Sequence, residues 1–223
     1  MIRITFRLMC IALIGTFSST KAWGYDCPNA EAIIQLGKES NTEKLEILRN
    51  RCLVSATGSY QFVIYLASYM AEPNKFGTEF ARAFPVETEG WRDISTVPEF
   101  HFSSINSEFY FAGALASVAT KGNRVGIEKL AKVASEAGGA WAEILFRGVI
   151  NCLLEFPGAT LSALTELEAT KRVRLLELAI SLQLNDDEAE RFIASIEMSR
   201  VDAPFLVDEI TGITSKNPAL RKQ

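Results

Sequence analysis

The sequence predicts an all-α protein, an array or irregular bundle of about ten antiparallel helices paired as helical hairpins and suited to solenoid-like stacking. Three observations carry that prediction. Apolar residues recur at helical spacing along most of the chain, and no sustained run alternates as a strand would. Glycine, proline and capping residues cut the pattern into segments of roughly 10–18 residues with short joints, and short joints make neighbours antiparallel. The chain is 48% hydrophobic and only 22% charged, which is enough apolar surface to bury a core.

Taken in order, Asp26 is placed to cap a first helix with Pro28 in its first turn, ending near Leu36 where Gly37 offers a stop. Ser40 and Glu43 have capping-box spacing for a second helix, on which Leu45, Leu48 and Cys52 share one stripe. Residues 59–72 are apolar around most of the circumference, so this third helix should be central. Pro73 and Asn74 break it, and 75–84 reads as a short further helix. Residues 85–103 have two prolines, Gly90 and several aromatics but no period, and form the longest irregular segment.

Helices resume at 104–121, where Ala112, Gly113, Ala114 and Ala116 suit close helix contact and Gly122 ends the run. Residues 123–137 follow, with Ile127, Leu130 and Ala134 as the buried stripe. Gly138 and Gly139 separate this from 140–156, a second central candidate. Pro157-Gly158 reads as a turn before 159–164 and a long helix ending near Leu184. Asn185 to Glu188 cap another stripe through Phe192, Ile193 and Ile196. After Ala203-Pro204 a last helix turns Phe205, Leu206, Ile210 and Ile213 inward, and a basic tail begins at Lys216.

Residues 1–24 read as a secretory signal peptide. Arg3 and Arg7 supply a positive start, 8–17 an uncharged apolar stretch, and Ala22 and Gly24 small residues at the −3 and −1 sites. An apolar run of about ten residues is too short to span a bilayer. Removing this segment leaves residues 25–223 as one all-α domain, with 20 basic and 27 acidic side chains. That balance disfavours nucleic acid and anionic lipid as partners, and the densest later apolar run, 139–156, is interrupted by Glu143 and Arg147. The mature protein is therefore expected to be periplasmic or secreted, without a membrane segment.

An oxidising compartment changes the reading of the cysteines. Cys10 falls within the signal segment, leaving Cys27, Cys52 and Cys152. The midpoint of Cys27 and Cys52 lies in the turn between the first two helices, so the two thiols should meet across that hairpin as a disulfide. Cys152 sits in an apolar helical context and reads as a buried, inert thiol.

No catalytic constellation, metal site or cofactor motif emerges. The chain has one histidine, His101, and no CxxC, GxSxG, GxGxxG or GxxxxGK[ST] sequence. Glu99 and Glu143 are candidate paired carboxylates, although Arg147 lies four residues after Glu143 at ion-pair spacing. The segment with the best claim to binding is the irregular one, whose Trp91, Arg92, Phe100, His101 and Phe102 are residue types that anchor protein interfaces. The expected function is that of an exported, non-catalytic helical protein that binds another protein in the cell envelope, of an immunity or inhibitor type. Two alternatives are a carboxylate-dependent enzyme acting on envelope glycans and a carrier of an apolar small molecule held between the aromatic helices.

Overall fold

Helical periodicity is realised along the described residues. The structure, a computed structural model, describes residues 27–54, 56, 58–86, 107–184 and 186–216. Among these are eleven helices and no strand. They are α1 (Ala30–Lys38), α2 (Thr42–Cys52), α3 (Ser59–Ala71), α4 (Pro73–Ala83), α5 (Ser107–Ala119), α6 (Arg124–Glu136), α7 (Ala142–Glu155), α8 (Pro157–Thr165), α9 (Ala169–Gln183), α10 (Asp186–Met198) and α11 (Pro204–Lys216).

The helices pack mainly on near neighbours in the chain, which gives an array. α3 packs against α1, α2 and α4, and α4 passes the contact on to α5 and α6. α7 packs against α5, α6, α8, α9 and α10, and α11 closes the far end on α9 and α10. The two segments expected to be central, α3 and α7, thus each pack against several neighbours. α3 buries Phe62, Val63, Ile64, Leu66, Ala67, Ser68 and Tyr69. Phe62 meets Phe84 and Phe111 edge-on at ring separations of 5.3 and 5.7 Å, and Tyr69 stacks on Phe80 at 4.6 Å. The aromatics that raised the idea of an apolar ligand fill this space with one another.

The buried hydroxyls of Ser68, Thr160 and Ser195 are satisfied locally. Ser68 donates to the Ile64 carbonyl at 2.8 Å and accepts from Arg49 at 3.0 Å, while Arg49 lies 4.1 Å from the centre of the Phe76 ring. Thr160 donates to the carbonyls of Cys152 and Phe156, and Ser195 to those of Leu153 and Leu154, which fixes α8 and α10 onto the end of α7.

Several local expectations are corrected. Gly37 does not stop α1 but lies within it. A Cβ there would be 2.8 Å from the Ala67 Cα and carbonyl oxygen, so the glycine is what lets α1 reach α3. Asn29 caps α1, its side chain accepting from the Ala32 amide at 2.9 Å. Ser40 does not cap α2, because it holds φ 52° in the left-handed region; Asn41 takes the cap by accepting from the Lys44 amide. Pro157 and Gly158 form the first turn of α8 rather than a turn before it, since proline's missing N–H costs nothing at that position. Ile193 and Phe205, expected inward, are 39% and 52% exposed. The stripes beside them are already completed by Phe192 and Ile196 and by Leu206 and Ile210, all buried.

Candidate functional site

The two cysteines placed opposite each other by the sequence are joined. Cys27 and Cys52 form a disulfide with Cα atoms 5.9 Å apart, tying the residues just before α1 to the last residue of α2. Cys152 is fully buried on α7, and burial pushes its thiol up to about 12. A thiol in that state is protonated at physiological pH and is not a nucleophile. The interface residues expected at Trp91, Arg92, Phe100, His101 and Phe102, together with Glu99 and the segment 1–24, lie outside the described residues.

Of the candidate carboxylates, Glu143 can be placed. It stands exposed on one wall of an open groove between α5 and α7, with a volume of about 550 Å³. The floor is made small by Gly113 and Ala116 of α5 and Gly148 of α7, and the α7 wall carries Glu143, Arg147 and Asn151 one turn apart. Gly148 is needed for packing, because a Cβ there would press on Ala116 and Leu130 at 3.1 Å. Gly113 is different, since a Cβ there would meet nothing within 4 Å. The ion pair formed by Arg147 is with Glu188 of α10 at 4.0 Å, not the expected i, i+4 pair with Glu143. The tertiary contact of α10 with α7 brings Glu188 within reach of the guanidinium, and this partner could not be read from helix spacing. Glu79 on α4, which the sequence did not single out, has its Oε2 buried without a hydrogen-bond partner, and it does not line the groove.

A smaller hollow of about 290 Å³ lies where α4, α5 and α6 meet, lined by Asn74, Thr78, Lys121 and Asn123 among others. Two of its polar groups serve the fold. Asn123 caps α6 by accepting from the Gly126 amide at 2.9 Å and donates to Thr78 at 2.7 Å. Neither hollow is enclosed in the way a carrier of an apolar molecule requires.

At the α10–α11 corner a buried cation supports an exposed ring. Arg172 of α9 is 6% exposed, donates to both carboxylate oxygens of Glu209 at 2.8 and 3.4 Å, and donates to the Leu167 carbonyl at 3.3 Å. Its guanidinium carbon lies 4.9 Å from the centre of the Phe205 ring. The periodicity of α9 could have flagged Arg172, which falls three and four residues before the buried Leu175 and Leu176.

Among the described residues no group of three or more His, Cys, Asp or Glu side chains could hold a metal ion, and no helix is long and apolar enough to cross a membrane. Comparison of the chain with protein-family models, with curated proteins and with solved structures gives no match.

Proposed function

We propose that this chain is an exported, non-catalytic helical protein that acts in the cell envelope by binding another protein, as an inhibitor or immunity protein does. The observation that carries the reading is the Cys27–Cys52 disulfide, a bond that persists in oxidising compartments and agrees with the signal-like character of residues 1–24. The acidic balance of the chain favours a cationic partner over nucleic acid. The glycan-enzyme alternative has less support, because Glu143 stands in an open groove beside Arg147.

The test is affinity capture of the tagged full chain, expressed at its native level, from the envelope fraction of its own host. The expected result is the same partner recovered in stoichiometric amount in independent preparations, with the Cys27 and Cys52 peptides joined in non-reducing digests. Capture of no stoichiometric partner, or recovery of both cysteines as free thiols, would contradict the proposal.

A further inference from the structure

We infer that the α10–α11 corner is the docking surface for that partner, and that the partner meets it with an apolar socket bordered by lysine or arginine. This rests on the protein-binding reading above and adds the place and the chemistry. Met198, Val201 and Phe205 are 79%, 92% and 52% exposed within eight residues of chain, half of the six exposed large hydrophobic side chains among the described residues. Scattered single exposures are ordinary, whereas several large apolar side chains at one corner mark an interaction site.

The Phe205 ring of this corner is held in place by a side chain from another helix. Arg172 lies under one face of Phe205 and is itself fixed by Glu209 and the Leu167 carbonyl. An aromatic side chain already ordered in the free protein loses little rotamer freedom on binding, which is the property of an anchoring residue.

The rim selects the sign of the partner. Over residues 197–209 the charged groups are Glu197, Arg200, Asp202, Asp208 and Glu209. Arg200 is engaged by Glu197 and Asp208, and Glu209 is neutralised by Arg172, so the corner keeps a net negative charge. A second copy of this chain would bring the same negative rim, and an anionic membrane would be repelled. A cationic protein surface would be attracted, and faster at low salt.

The test uses the full chain and an amphipathic helical peptide of leucine and lysine as probe, measured by calorimetry. Its leucine–glutamate counterpart and phosphatidylglycerol vesicles are the comparison arms. The expected result is saturable one-to-one binding of the leucine–lysine peptide, weakened about tenfold or more by Phe205→Ala and by Met198→Ala. Val54→Ala, at an exposed position on the other end of the array, should leave it unchanged. Circular dichroism checks that each variant keeps its helices. Equal binding by wild type and both corner variants, corner-dependent vesicle binding, or corner-dependent dimerisation in sedimentation would each overturn the assignment. A stoichiometric envelope partner whose capture is indifferent to Phe205→Ala would sink this surface while leaving the protein-binding reading intact. Absence of any envelope partner would sink both.

Discussion

Breaking the Cys27–Cys52 bond tests whether the N-terminal helices are held as the structure holds them. The bond closes a loop spanning 25 residues of sequence. In the chain-entropy relation, opening a loop of that length gives back about 3.5 kcal/mol of disorder to the unfolded chain at 25 °C. For a domain of roughly 200 residues, where each kcal/mol moves the melting temperature by about 2–4 °C, the expected fall is about 7–14 °C. Cys52 is buried, so Cys27→Ala/Cys52→Ala also removes a packed sulfur atom. Wild type treated with a non-thiol reductant keeps the sulfur and loses only the bond. Differential scanning calorimetry of oxidised wild type, reduced wild type and the double variant separates the two contributions. Reduced wild type should account for most of the fall, with the double variant slightly lower. A melting temperature within about 2 °C of the oxidised protein for both would refute the reasoning, since the unfolded ensemble would then gain nothing from the cut.

Three further outcomes follow from named contacts. Gly37→Ala should destabilise by about 1–3 kcal/mol in urea unfolding, because its Cβ meets Ala67 backbone at 2.8 Å; Gly113→Ala, with open space around it, should stabilise by about 0.5–1 kcal/mol, and effects of the same sign would contradict the packing. Glu209→Ala should cost about 3 kcal/mol by leaving Arg172 buried without its carboxylate, whereas Arg172→Met/Glu209→Leu should recover most of the loss; a double variant no better than the single would count against the pair. Cys152 should resist iodoacetamide in the folded protein at neutral pH and react on unfolding. Its folded value of about 12 exceeds the ordinary 9.0, so its contribution to stability is intact below pH 9 and lost as pH rises from 9 through 12. Cys152→Ala should therefore flatten that alkaline decline in melting temperature, and a decline of unchanged steepness would argue against the burial account.

The parts of the fold that were legible in the sequence are those set by one helix at a time. Apolar circumference identified α3 as central and a dense apolar run identified α7, and Leu45, Leu48 and Cys52 lie buried on one stripe as their spacing requires. The disulfide was legible because a turn and two symmetric positions are both local to a single helix pair. What failed depends on the third dimension. Gly37 looks like a helix stop in sequence, but its role comes from Ala67, thirty residues away. Phe205 looks like a core residue from its period, yet Leu206 and Ile210 already occupy the buried stripe and Arg172 waits under the ring from another helix. For the same reason the groove was not read from the sequence. Glu143, Arg147 and Asn151 repeat at one-turn spacing on α7, but the facing Gly113 belongs to α5 and the partner of Arg147 to α10.

The central claim is that this chain works by holding another protein in the envelope, and the mass of the native particle tests it most directly. Light scattering on the particle eluted from a sizing column, loaded with gently extracted envelope material, should give a mass above the 24.6 kDa of the full chain, with a second polypeptide co-eluting in constant proportion. A particle no heavier than the chain itself, unchanged across preparations and salt concentrations, would contradict the claim.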